Sequence, residues 1–274
     1  MFARMSAGER ARDYGAHKRK QFSRLLSSSP PYADKLDEFF YEGLGRQTSV
    51  CLYGSAATGN WVPGRSDLDV IILVPEEKLE LLSQKIREWA WASTPKYPIL
   101  DGYALSVSRS GHIVKRLDEF VKVTYPSDAT IDLVDQWIIR NRSKHLFGND
   151  SISTLFPDIS HSQLRAWAFE TLKYMLASNP EGIVPEPKVV LSKLIWSVSW
   201  PARMLMLLRG NVCESKREAL QWLASEYVEI RNLVCLLLDD YSKSDEVALS
   251  ITSEQSAILR KFCLRQLMMR VTEY

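Results

Sequence analysis

The chain has 274 residues, 46% of them hydrophobic and 25% charged, with 35 Lys and Arg against 33 Asp and Glu. Those proportions belong to an ordinary folded protein rather than a disordered or fibrous one, and the length suits two domains. A net charge of +2 removes the electrostatic basis for general nucleic-acid binding, which needs a clear excess of Lys and Arg on one face.

Residues 1–30 read as a basic arm, rich in Lys and Arg and closed by the breaker Ser-Ser-Ser-Pro-Pro. A helix is expected over 34–43, with Leu36, Phe39 and Phe40 on one side. The period then changes. Residues 48–53 and 67–74 read as short buried strands and 103–107 as a third, with an amphipathic helix over 76–92 carrying Leu79, Leu82, Ile86 and Trp89. A helix over 128–142 and an extended piece over 145–148 follow.

Beyond Gly148 only helices are expected: 163–177, 189–208 with Pro201 inside it, 215–241 and 254–271. In the third of these, Leu220, Leu223, Tyr227, Ile230, Val234, Leu237 and Tyr241 recur at spacings of three and four, which predicts one continuous helix. The fold class is therefore α+β. A mixed-sheet domain over 31–150 follows the arm, and an all-α helical bundle occupies 151–274, with a Pro-containing loop at 179–187.

The four cysteines, Cys51, Cys213, Cys235 and Cys263, form no CxxC pair, so neither a zinc site nor a disulfide framework is expected. No run of 18 apolar residues offers a membrane span, and the first 25 residues lack the apolar core of a secretory signal. A cytoplasmic chain, with no membrane partner, is expected.

Two stretches carry candidate chemistry. In the first, a strand enters the turn Gly54-Ser55, the chain loops out, and it returns through Ser66-Asp67-Leu68-Asp69 into the apolar run Val70–Val74. An i, i+2 spacing at a strand head places both carboxylates on one face. Two hard oxygen ligands, beside glycines that let a phosphate approach the backbone, are what a Mg²⁺–nucleotide site needs. A solvated surface turn is the bland alternative, and it is disfavoured because the acids lead directly into buried strand. Asp101, at the entry to the third strand, is the candidate third acid. It would either complete the metal site or take the proton from an attacking hydroxyl; a turn residue beside Gly102 is its ordinary alternative.

In the second stretch, Gly210 ends one helix, and Ser215 with Glu218 forms a capping box for the next. Lys216 is left in the first turn, the unfavourable end of the helix dipole for a cation, and a bound phosphate would compensate it. Trp61 offers a ring that could stack on a ligand, although packing is its commoner use. Asp128, Asp132, Asp135, Glu181 and Glu186 read as solvated acids. The four histidines show no metal-ligand spacing.

The Gly-Ser turn followed by Asp-x-Asp ahead of an apolar strand resembles the signature of the DNA polymerase β-like nucleotidyltransferase superfamily. The run Arg203, Leu205, Leu208, Gly210, Val212, Ser215, Lys216, Ala219 and Trp222 further resembles the C-terminal domain of the aminoglycoside (3'')-adenylyltransferases, the streptomycin and spectinomycin resistance enzymes. The resemblance spans roughly residues 45–245. It implies ATP and Mg²⁺ as cofactors, with triphosphate at the Gly54 turn, Ser55 and Ser66, Mg²⁺ on Asp67 and Asp69, and Asp101 where the family has its catalytic base. Arg203 and Lys216 would reach across an interdomain cleft to the phosphates, with Tyr241 near the nucleotide.

The expected activity is transfer of AMP from ATP to a hydroxyl of a small molecule, an aminoglycoside or aminocyclitol above all, by a monomer. The alternatives are another hydroxylated small molecule, a protein or an RNA end as acceptor, or a catalytically silent antitoxin-like binding protein. Two positions depart from the family. Asp101 replaces the usual glutamate, and Lys193 stands ten residues before Arg203, where enzymes that modify streptomycin carry an acid; a cation there repels a polycationic drug.

Overall fold

The computed structural model describes residues 39, 44–45, 47–61, 66–92, 99–108, 111–120, 130–148, 152–178, 191–241 and 251–272. The basic arm, the loop at 179–187 and, apart from Phe39, the helix expected over 34–43 lie outside them. The chain divides into two compact units, Met1–Pro157 and Asp158–Tyr274.

The first unit is built on a mixed five-stranded sheet in the order β4-β3-β2-β1-β5. Strand β1 (Ser49–Leu52) runs into a short helix, α1 (Gly54–Thr58), before β2 (Leu68–Pro75) returns antiparallel to β1. Helix α2 (Leu79–Ala92), entered through the 3₁₀ turn Glu76–Lys78, carries the chain to β3 (Leu100–Ser108). A crossover of that length is what parallel pairing of β2 with β3 requires. Strand β4 (Gly111–Arg116) folds back antiparallel on β3, and β5 (Lys144–Phe147) pairs antiparallel with β1 at the other edge. Two further helices, α3 (Leu117–Phe120) and α4 (Leu133–Arg142), lie between β4 and β5 in sequence.

Strand alternation divides the sheet's side chains into two sets. On one face Leu52, Val70, Ile72, Leu100 and Ala104 pack with Leu82, Ile86 and Trp89 of α2, and Phe39 meets the Trp89 ring at 5.4 Å. The opposite face carries Cys51, Tyr53, Asp69, Asp101 and Tyr103. Helix α4 lies over it, since the Tyr103 hydroxyl reaches Asp135 of that helix.

Three details of this unit differ from the expected elements. Strand β3 begins at Leu100, so Asp101 stands inside a strand and not in a turn before one. Strand β4 was not expected, because Gly-His-Ile-Val-Lys-Arg mixes polar and apolar residues without strong alternation. Helix α4 starts at Leu133, five residues later than expected, because Asp132 caps it by accepting the Asp135 N–H at 2.8 Å.

The second unit is helical, with α5 (His161–Ser178), α6 (Leu191–Leu208), α7 (Lys216–Glu226), α8 (Arg231–Tyr241) and α9 (Ser253–Thr272). Pro201 is accommodated within α6. The single helix expected over 215–241 is broken: Tyr227 adopts φ −122°, ψ 99°, and the 3₁₀ turn Val228–Ile230 separates α7 from α8. The Tyr227 ring is held edge-on by Trp222 at 6.1 Å and Phe262 at 5.1 Å, while Arg231 Nε donates to the Ala224 carbonyl at 2.9 Å and satisfies the end of α7. Leu220, Leu223, Ile230, Val234 and Leu237 are buried on both sides of the break, which is why their spacing reads as continuous. The expected α+β class, a mixed-sheet domain followed by helices, describes the chain. Among the described residues no helix is long and apolar enough to cross a membrane.

All four cysteines are free thiols. Burial raises the pKa of Cys51 and Cys213 to about 11 and that of Cys263 to about 12, whereas Cys235 is exposed. The thiolate is the reactive species, so at pH 8 a thiol reagent is expected to label Cys235 alone in the native protein and all four thiols in denaturant. Rapid labelling of a second thiol under native conditions would contradict this packing.

Candidate active site

At the end of β1 the chain turns sharply into α1, and Gly54 takes φ 60°. A Cβ on Gly54 would collide with Asp69 Oδ2, so the missing side chain is what lets the Asp69 carboxylate lie against the turn. The Tyr53 N–H donates to the Asp69 carbonyl at 3.0 Å and ties the two segments together. Asp67, one residue ahead of β2, and Asp69, within it, are both partly exposed.

Parallel pairing supplies the third acid. Asp69 and Asp101 are register partners across β2 and β3, so these two acids stand side by side on one sheet face, with Asp67 one residue ahead of β2. Asp101 Oδ1 accepts the Gly102 N–H at 2.7 Å and lies 3.6 Å from an Arg116 guanidinium nitrogen. Both contacts engage Oδ1.

Ser55 opens α1, and Ser66 forms a bend just before Asp67. The Trp61 indole donates to the Ser66 carbonyl at 3.0 Å and packs half-buried against the core. Trp61 is thus engaged in packing and in a bond to Ser66.

Four further residues that local sequence signals do not mark as functional join this region. Tyr53 is 5% exposed, and its hydroxyl is pushed well above the ordinary tyrosine range by burial first, then by the charges of Asp135 and Asp69, with Tyr103 and Asp101 adding to them. Tyr103 donates to Asp135 Oδ2 at 3.2 Å and is shifted upward by burial and then by Asp135. Arg116 sits over the Tyr103 ring at 6.0 Å and binds Asp118 at 2.9 Å. Asp135, read from sequence as a solvated helix acid, thus belongs to the site through Tyr103. Period-2 alternation placing Tyr53 and Tyr103 on the face of Asp69 and Asp101 is the signal that could have found the tyrosines.

In the helical unit, Ser215 caps α7 by accepting the Glu218 N–H at 3.1 Å, and Glu218 accepts the Glu214 N–H at 2.8 Å, leaving Lys216 in the first turn. Arg203 lies on α6, and its charge bears on Cys213, two residues before that cap. Tyr241, 6% exposed, ends α8 in the core of this unit. Lys193 lies on α6, and its side chain is outside those described.

Among the described residues no group of three or more His, Cys, Asp or Glu side chains is arranged to hold a metal by itself. Mg²⁺ in nucleotide sites is held by one or two carboxylates plus substrate phosphates and waters, and two aspartates beside a side-chain-free turn are a donor set of that kind.

Residues 33–123 match the family model described as a nucleotidyltransferase domain. The chain carries a nucleotidyltransferase domain. No curated protein matches the chain. Among solved structures, the chain is similar to a spectinomycin adenyltransferase, AAD(9), from Enterococcus faecialis, crystallised with ATP and spectinomycin. The identity is 18% and the TM-score 0.59, over 86% of this chain and 97% of that one. At that identity the likeness speaks for the fold. The nucleotidyltransferase domain includes the Gly54 turn, the three aspartates, both tyrosines and Arg116, whereas Asp135 lies beyond the matched stretch.

Proposed function

We propose that the chain transfers AMP from ATP to a hydroxyl of a small molecule of the aminoglycoside or aminocyclitol class. The observation that carries this reading is the pairing of Asp69 with Asp101 in parallel register, with Asp69 lying against the Gly54 turn.

Asp67 and Asp69 would hold Mg²⁺, which when bound with ATP supplies positive charge against the phosphates. The backbone at Gly54, with Ser55 and Ser66, is assigned to triphosphate binding. Arg203, Lys216 and Tyr241 keep their nucleotide-binding assignment from the family resemblance. Asp101, held through Oδ1 by Gly102 and Arg116, directs Oδ2 to the acceptor hydroxyl and receives its proton. The acceptor oxygen forms a bond to the α-phosphorus, the bond from that phosphorus to the bridging oxygen breaks, and pyrophosphate leaves with the electron pair.

Purified protein is expected to add one AMP to an acceptor in a panel of aminoglycosides and aminocyclitols supplied with ATP and Mg²⁺, read as the mass increase of the drug. Lys193 predicts a preference for spectinomycin-type acceptors over more highly charged streptomycin. ATP consumption without any modified drug would move the acceptor to another hydroxylated molecule. Absence of nucleotide binding would sink the enzymatic reading in favour of a silent binding protein.

A further inference from the structure

A chain of contacts leads from α4 to the acid assigned as proton acceptor. Asp135 on α4 accepts the Tyr103 hydroxyl at 3.2 Å. The Tyr103 ring lies 6.0 Å from the Arg116 guanidinium, whose residue is its register partner on β4. Arg116, anchored on Asp118 at 2.9 Å, approaches Asp101 Oδ1 at 3.6 Å. The Tyr53 hydroxyl lies 3.1 Å from where a Cβ on Gly102 would stand. Tyr103 and Arg116 sit on the sheet face that carries Asp69 and Asp101.

We propose that Asp135 and Tyr103 are positioning residues for Asp101. Asp135 fixes the Tyr103 hydroxyl, the Tyr103 ring backs Arg116, and Arg116 holds one carboxylate oxygen so that the other faces the acceptor. Three features make this more than ordinary packing. A helix acid with a solvated alternative is instead partly buried on a tyrosine hydroxyl. The tyrosine is two residues from Asp101 on the same strand face. The arginine that the ring backs pairs with Asp101 itself. A general base gains from being held in one orientation, because a small misplacement of the proton acceptor lowers the chemical step without weakening substrate binding. This inference rests on the proposed AMP transfer.

The test is steady-state kinetics of AMP transfer for Tyr103→Phe, Asp135→Ala and Asp135→Asn, with thermal melting alongside. Tyr103→Phe and Asp135→Ala are each expected to lower kcat about tenfold with KM for ATP within about twofold of the unaltered chain. Asp135→Asn keeps an oxygen acceptor for the Tyr103 hydroxyl and is expected to recover most of that loss. A purely structural role would lower the melting temperature and raise KM for both substrates. Unchanged kcat in Tyr103→Phe, or equal loss in Asp135→Asn and Asp135→Ala, would overturn the positioning role while leaving the AMP-transfer reading intact. Complete lack of transfer by the unaltered chain would overturn that reading, and this one with it.

Discussion

Asp69→Asn is expected to lower kcat/KM for nucleotidyl transfer about a thousandfold, roughly 4 kcal/mol of transition-state stabilisation, while the protein remains folded. The substitution keeps the side-chain volume, so the fit against the Gly54 turn survives. The backbone bond that joins the turn to β2, from Tyr53 N to Asp69 O at 3.0 Å, involves no side-chain atom. What is lost is one negative oxygen ligand. The electrostatics of the unloaded protein point the opposite way. Asp69 is the register partner of Asp101, and like charges side by side on neighbouring strands repel. Removing one of them is therefore expected to leave the melting temperature unchanged or raise it. Lost activity with equal or greater stability distinguishes a residue kept for function from one kept for packing. Thermal melts and initial rates on the same preparation decide it, and near-normal Mg²⁺-dependent transfer by Asp69→Asn would remove Asp69 from the metal site.

The local signals that announce this site are strong because each depends on short-range geometry. Gly54-Ser55 marks the turn, and Asp67 with Asp69 announces a shared face from spacing alone. The place of Asp101 depends on something no local pattern carries. It comes beside Asp69 only through the parallel register of β2 and β3, which is set by the α2 crossover and the buried faces of both strands. Asp135 was illegible for a similar reason. Its helix offers both a solvated and a covered surface, and which of them meets the sheet is decided by how α4 returns over Tyr53 and Tyr103. Tyr227 shows the converse: apolar spacing survives a break in the helix, because spacing records which residues are buried and not whether the backbone between them is continuous.

The other large effect is expected on stability, at Gly102. Its φ of 117° is one that side-chain-bearing residues rarely adopt, and a Cβ there would overlap the Val70 carbonyl oxygen of the neighbouring strand. That atom is backbone within β2, so no side-chain rotation relieves the overlap; β2 and β3 must separate locally. Backbone strain and weakened ladder bonds together make Gly102→Ala cost about 3–4 kcal/mol. Gly54→Ala provides the contrast. Its φ of 60° lies in the region alanine enters at a cost of about 1–2 kcal/mol, and the obstructing atoms belong to the Asp69 side chain, which can swing away. The first variant is thus expected to fail by unfolding, seen as a large fall in the denaturation midpoint. The second is expected to stay folded yet lose most of its transfer activity, because the carboxylate it displaces is the one assigned to Mg²⁺. Comparable stability in the two variants would mean that the β2–β3 register yields more easily than its geometry implies. Full activity in Gly54→Ala would mean that the approach of Asp69 to the turn does not matter to the reaction.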